Sequence, residues 1–191
     1  MGVVTIETTK KYECPTCLRN RRLICLDIET TGLDILFNTI IELGIIEYVD
    51  GVEKQRYSRL FGGGHSSMYL VRKIHHIKDA SRRRLPTFKD CADKISNFLS
   101  NSCIITHNGT KFDIPMIEQK LSEVNCKLEN CTYIDTFLIA KKLVHDSNSL
   151  EALSKQYNLE YGGHRGLGDA ETTLQLLFCL IEKNGSGIIK F

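Results

Sequence analysis

Asp27 and Glu29 stand two residues apart in Leu23-Ile24-Cys25-Leu26-Asp27-Ile28-Glu29, an otherwise apolar run. On a strand, side chains two apart share a face. Two carboxylates on one face of a buried strand repel each other and are costly to desolvate. A hard divalent cation such as Mg²⁺ or Mn²⁺ removes that cost, because it takes oxygen ligands and keeps several waters. A strand end open to solvent would tolerate the pair equally well, so the pair alone leaves both readings open. Asp113 follows Cys103-Ile104-Ile105-Thr106 and the turn formers Asn108-Gly109. It sits at a helix start, where an acid also suits the helix dipole. His164 and Asp169 lie in Gly162-Gly163-His164-Arg165-Gly166-Leu167-Gly168-Asp169. Such a glycine-rich stretch can approach a ligand closely. Asp169 has helix capping as its plain alternative. An unperturbed histidine, with a pKa of about 6.5, suits a general base at neutral pH. Together, four carboxylates and one histidine suit metal-dependent cleavage of a phosphodiester.

The elements that must position these groups read as a mixed α/β domain. Leu23 to Ile28 is a near-continuous apolar run, as in a buried central strand. Ile40 to Tyr48 is a second strand, Asp50-Gly51 a hairpin turn, and Gln55 to Phe61 an antiparallel third. Gly62 to Ser67 reads as a flexible loop. Pro86-Thr87 opens a helix to about Leu99, with Phe88, Ala92, Ile95, Phe98 and Leu99 on one face. Cys103 to Thr106 is a short buried strand. Phe112 to about Val124 keeps a helical period through Ile114, Ile117, Leu121 and Val124. Tyr133 to Thr136 is the last strand, and a helix runs on to about Leu143. Ser149 is positioned to cap another helix. Gly168 to Ile181 forms the terminal helix, ended by Gly185-Ser186-Gly187. The order β-β-β-α-β-α-β-α-α-α implies helices flanking one mixed five-stranded sheet. The expected organisation is a partly ordered arm over residues 1–20, a single domain over 21–184 and a tail over 185–191.

At 191 residues the chain is long enough for one domain with a proper core. A net charge of +2 means that any polyanion site must be a local patch. Basic residues cluster at Lys10-Lys11, around Arg19 to Arg22, and at Arg82-Arg83-Arg84. A solvated face explains each run equally well. No apolar run approaches the roughly 20 residues that span a bilayer. The N-terminus has neither a secretory pattern nor the myristoylation pattern. Eight cysteines, several in apolar stretches, suit a reducing compartment, so an intracellular location (cytoplasm, nucleus or nucleoid) is expected. Cys14-Pro15-Thr16-Cys17 is half of a zinc pattern, with Cys126 and Cys131 the nearest second pair. Two free thiols in a solvent-facing turn is the simpler expectation.

From about Leu23 to Leu180 the chain resembles the DEDDh (DnaQ-like) 3′→5′ exonucleases, on a ribonuclease-H-like fold. The resemblance rests on three segments in order. Asp27, Glu29, Thr31 and Gly32 match an Asp-x-Glu followed by Thr-Gly; Asn108, Phe112 and Asp113 match the second motif; His164 and Asp169 match His-x4-Asp. Leu85-Pro86-Thr87-Phe88 and Asn148-Ser149-Leu150-Glu151-Ala152-Leu153 resemble the flanks found in proofreading subunits. The resemblance implies two divalent cations, Mg²⁺ or Mn²⁺, held by Asp27, Glu29, Asp113 and Asp169. It implies that Asp27 bridges them and that His164 takes a proton from the attacking water. It further implies that Leu33 packs against the terminal base and that Thr30, Thr31 and Asn108 contact the terminal nucleotide. His76 resembles a histidine of proofreading relatives, although the Gly that usually follows it is Ile77 here.

The expected activity is release of nucleoside 5′-monophosphates from single-stranded DNA 3′ ends, in proofreading or repair, with a polymerase or repair complex as partner. An exoribonuclease trimming RNA 3′ ends stays open, because 2′-hydroxyl recognition depends on pocket shape. So does a non-catalytic nucleic-acid-binding module. Five costly polar groups in one pocket argue against the latter. The phosphate-binding signatures of kinases and dinucleotide enzymes are absent from the sequence.

Overall fold

The computed structural model describes residues 12–144 and 146–189. Lys10-Lys11 and most of the expected N-terminal arm therefore lie outside the described residues. The strands are β1 (Arg22–Thr30), β2 (Ile40–Val49), β3 (Val52–Leu60), β4 (Cys103–Thr106) and β5 (Thr132–Asp135). The helices are α1 (Tyr69–His75), α2 (Asp79–Arg82), α3 (Ala92–Leu99), α4 (Asp113–Ser122), α5 (Thr136–Leu143), α6 (Leu150–Gln156) and α7 (Gly166–Asn184). One five-stranded sheet has the order β3-β2-β1-β4-β5. β2 lies antiparallel to β1 and β3, whereas β4 is parallel to β1 and to β5. The expected mixed sheet flanked by helices is present.

The pleat of β1 sorts its residues between two cores. Leu23 and Cys25 face a cluster built from α5, α6 and α7, with Leu174, Leu177 and Phe178 at its centre. Ile24, Leu26 and Ile28 face the opposite cluster, where Ile95, Leu99, Ile114, Ile117 and Leu121 pack from α3 and α4. Burial on both faces explains why β1 reads as a continuous apolar run. Asp27 and Glu29 continue the Leu23–Cys25 row, so they emerge on the α7 face where that core ends.

Several boundaries differ from the sequence reading. The helix expected from Pro86 begins as a 3-10 turn at Lys89–Cys91. Thr87 and Asp90 exchange hydrogen bonds ahead of it, with Asp90 Oδ2 accepting from Thr87 N at 2.7 Å. α1 and α2 occupy a stretch that the periodicity left unassigned. In α1 the apolar residues Tyr69, Leu70 and Ile74 point outward, so no buried stripe announced a helix. Ser149 does cap α6, accepting from Ala152 N at 3.2 Å. Gly185, at φ 78°, ends α7.

Within the N-terminal segment, Tyr12, Cys14 and Leu18 are buried in the cluster that includes Leu174, Leu177 and Phe178 of α7. Cys14 is thus part of the core, while Cys17 is exposed. Burial pushes the Cys14 thiol up to about 11. No helix among the described residues is long and apolar enough to cross a membrane.

Candidate active site

The site lies at the carboxyl ends of β1 and β4, where two strands run parallel and a third, β2, runs the other way. In open α/β sheets this is where the crevice forms. Asp27 faces Gly44 across the β1–β2 ladder, and Glu29 faces Glu42. A bulge between Glu29 and Thr30 then turns the chain out of the sheet.

Gly44 decides how closely α7 can approach. A Cβ there would lie 2.0 Å from the Gly166 carbonyl carbon, and one on Gly166 would meet Gly44 N at 2.8 Å. Backbone therefore packs on backbone, and the first turn of α7 delivers Asp169 over Asp27 and Glu29. Gly162 packs in the same way against Gly168 and Asp169. Asp113 arrives from the other face, at the first residue of α4. Its Oδ1 accepts from Ile28 N at 3.2 Å, which fixes the carboxyl between Asp27 and Glu29 along the chain.

The five expected groups are thus brought together. Glu29, His164 and Asp169 offer ligand atoms that all lie within 4.8 Å of one another. His164 Nδ1 is 4.0 Å from Asp169 Oδ2. The His164 backbone is left-handed, at φ 60°, and its Nε2 lies 3.1 Å from the Tyr161 hydroxyl.

Crowding leaves its mark on every acid. Asp27 is held well above the ordinary carboxylate range, first by burial and then by repulsion from Asp113, Glu29, Asp169 and Glu42. Burial, with Asp169 and Glu42 nearby, pushes Glu29 up to about 8. Burial raises Asp113 to about 7, against the Ile28 N–H bond that lowers it. Asp169 is raised to about 6, again chiefly by burial, with His164 opposing. Asp169 Oδ1 is buried and has no hydrogen-bond partner. An orphaned buried oxygen amid repelling carboxylates fits a hard divalent cation, which needs oxygen donors and favours their ionised form.

The remaining expected residues are placed as follows. Leu33 is 73% exposed beside the site. Thr30 and Thr31 are buried, and their hydroxyls are used internally. Thr30 Oγ1 donates to Gly32 O at 2.7 Å, while Thr31 Oγ1 meets Asn38 and accepts from Thr39 N. Asn108 is exposed and left-handed, at φ 61°. His76 is also exposed and left-handed, at φ 56°, which is where a helix end favours glycine. Its neighbour His75 is the buried one, with Nδ1 accepting from Ile77 N at 2.9 Å. His76 thus ends α1 in a conformation that glycine also favours, and His75 rather than His76 is the buried histidine. Arg82 is not a solvated cation. It is 3% exposed and donates to Gly63 O, His65 O and Asp79. Arg83 and Arg84 remain exposed.

Two groups escaped the sequence reading. Glu42 is 1% exposed and accepts from Arg165 Nε at 3.1 Å, Arg165 Nη2 at 2.8 Å and Gly166 N at 3.2 Å. It ties the His164 loop to β2. Tyr161 steadies the His164 ring from outside. The signal for Glu42 was an acid inside Ile40-Ile41-Glu42-Leu43, and for close backbone approach a glycine inside a strand, Gly44.

Comparison with known proteins gives the family and the fold. Residues 24–177 match the RNase T family, whose members are described as exonucleases. The DNA polymerase III subunit epsilon of Buchnera aphidicola (from Acyrthosiphon pisum) is 32% identical over 178 residues, covering 84% of this chain and 71% of that protein. The PolC-type DNA polymerase III of Thermotoga petrophila is 29% identical, but this chain spans only 12% of its length. Among solved structures, exonuclease X in complex with 5′ overhanging duplex DNA superposes with a TM-score of 0.66 at 24% identity, covering 85% of this chain and 93% of that one. The E. coli exonuclease I–ssDNA complex gives 0.78 at 14% identity, covering 87% of this chain and 42% of that one. These two share the fold. The match over residues 24–177, with the similarity to DNA polymerase III subunit epsilon, makes this chain a member of the DnaQ-like exonuclease family.

Proposed function

We propose that the protein removes nucleotides one at a time from the 3′ end of single-stranded DNA, releasing nucleoside 5′-monophosphates. The carrying observation is the crowded acid cluster with its orphaned Asp169 Oδ1. Asp27, Glu29, Asp113 and Asp169 would hold two divalent cations, Mg²⁺ or Mn²⁺. When bound, such cations lower the pKa of water and neutralise charge on both the attacking and leaving oxygens. The acids hold that charge in place and keep the pocket polar. His164, with Nδ1 turned toward Asp169, accepts the proton of the attacking water. The water oxygen bonds to phosphorus, and the bond from phosphorus to the 3′ oxygen of the preceding nucleotide breaks. The shortened strand keeps a 3′-hydroxyl, which takes a proton from solvent. Leu33 packs against the terminal base, and Asn108 contacts the terminal nucleotide.

The names of the relatives favour DNA as substrate and work alongside a polymerase, as in editing. The test follows 5′-labelled single-stranded DNA and RNA of one sequence, with Mg²⁺ or Mn²⁺, for wild type and Asp27→Ala. A metal-dependent ladder that shortens from the 3′ end, faster on DNA and absent in the variant, is the expected result. Faster shortening of RNA would move the substrate to RNA. Degradation that persists in Asp27→Ala would sink the metal assignment.

A further inference from the structure

Tyr161 lies against the general base, and its place there is built into the fold. The backbone on either side of it is tied to one buried hydroxyl of α7. Thr172 Oγ1 accepts from Gly162 N at 3.0 Å and lies 2.8 Å from Glu160 O, and Thr172 is 1% exposed. A Cβ on Gly162 would lie 2.0 Å from the carbonyl carbon of Gly168, so this segment is pressed onto the first turn of α7. Gly163 and His164 then both adopt left-handed backbone, at φ 70° and 60°. That conformation is uncommon for a residue other than glycine. With the chain turned in this way, the His164 ring meets the Tyr161 ring edge to face, with centroids 5.8 Å apart at 83°. Burial first, then Asp169, Glu151 and Asp27, push the phenol up to about 12, so it stays protonated.

The two ring nitrogens of His164 are treated differently. Nε2 is 3.1 Å from the Tyr161 hydroxyl, within hydrogen-bond range. Nδ1 is 4.0 Å from Asp169 Oδ2, beyond that range. Among the described residues, the Tyr161 hydroxyl is thus the one hydrogen-bond partner of the ring. A neutral imidazole carries its proton on one nitrogen and a lone pair on the other. The bond made at one nitrogen sets which is which. We infer that Tyr161 is a positioning residue that selects the working tautomer of His164: its oxygen accepts from Nε2–H, so Nδ1 meets the water with a free lone pair. The proton of the water passes to Nδ1, and its electron pair stays on the oxygen that bonds to phosphorus. The imidazolium so formed still donates from Nε2 to Tyr161 and later gives its Nδ1 proton to solvent. A phenol donating to Nε2 would enforce the opposite form, with Nδ1 protonated and no lone pair for the water. This inference rests on the nuclease reading for the task of His164.

The test reads the ring directly. The full chain, labelled with ¹⁵N at histidine and free of metal, is observed by NMR at a pH where the ring is neutral. His164→Ala identifies the His164 signals. A protonated and an unprotonated ring nitrogen differ widely in shift, so the spectrum names the tautomer. The Nε2–H form is expected to dominate in the wild type. Tyr161→Phe keeps the aromatic ring, removes the oxygen, and should bring in the Nδ1–H form. A residue that only packed the loop would leave the tautomer where it was. With Mn²⁺ and single-stranded DNA, Tyr161→Phe should lower kcat about 10- to 100-fold at unchanged KM, the loss typical when the orienting partner of a histidine is removed. A dominant Nδ1–H form in the wild type would overturn the inference. So would a tautomer, or a kcat, that Tyr161→Phe leaves unchanged. The spectrum needs neither metal nor cleavage and judges Tyr161 by itself. A wild type that shortens no strand with either metal would instead count against the nuclease reading.

Discussion

Two strand-end carboxylates show how differently a fold can treat a buried acid. Asp135, at the end of β5, is 6% exposed and fully occupied. Its oxygens accept from Asn108 N at 2.8 Å, Thr110 N at 3.1 Å, Thr110 Oγ1 at 2.6 Å and Phe137 N at 3.0 Å. It builds the turn before α4 and caps α5. Asp169 is equally buried, at 5%, yet its Oδ1 has no partner, and it sits among Glu29 and Asp27 with His164 at 4.0 Å. Both would pass as helix-start carboxylates by sequence. A structural acid has its lone pairs filled by the chain, whereas a ligand-holding acid leaves them open. Local stability therefore belongs to the Asp135 turn, and the stored repulsion belongs to the metal pocket.

Substitution should separate the two sharply. Asp27→Ala should bring cleavage to background while leaving thermal unfolding of the metal-free protein unchanged or shifted upward, because it relieves repulsion. A drop in Tm like that of a core mutant would break the contrast. His164→Ala should lose about 100- to 10,000-fold in kcat, the range of a positioned general base. It should keep its affinity for metal, read by calorimetry, and wild-type turnover would exclude the role. Asp135→Ala should do the reverse of Asp27→Ala. It strands several buried N–H groups and should cost about 2–3 kcal/mol of stability in denaturant unfolding. A milder case tests the link between the regions. Glu42→Gln keeps the shape but removes the charge that Arg165 grips from two nitrogens, so the His164 loop loosens and kcat should fall about tenfold. Rescue by Glu42→Asp is not expected, because the shorter side chain cannot reach both donors.

The smallest effect should appear in the metal-free protein. Glu29 and Asp113 rest at about 8 and about 7 in the folded state, above their ordinary values. An acid whose folded pKa is raised stabilises the fold while protonated, and that contribution is lost as pH rises from the unfolded value toward the folded one. Tm without metal should thus fall as the pH rises from 5 to 8. Mg²⁺ should raise Tm more at pH 8 than at pH 5. A flat profile would show that the cluster is relaxed without metal.

The sheet was largely legible because β1 and β2 are buried on both faces and carry unbroken apolar runs. Asp27 and Glu29 stood out against that background. α1 was missed because its apolar side chains face solvent, so the usual periodicity has no core to report. Glu42 was read as an ordinary strand residue, since its partner Arg165 lies on a loop far along the chain. By sequence Cys14 and Leu18 belong to a polar, basic arm over residues 1–20. Their burial comes from the core cluster that also holds Leu174, Leu177 and Phe178 of α7, which local sequence does not contain. Register-level placement was available for Asp113 only through its helix start. The bond from Ile28 N that aims it had to come from the fold.

The contact of Gly44 with Gly166 also bears on the order in which the enzyme comes into being. β1 leaves the ribosome early and α7 among the last elements. Because strand and helix meet backbone to backbone, no looser arrangement places Asp169 and His164 beside Asp27. A chain that has not yet made α7 therefore lacks Asp169 and its approach to Asp27.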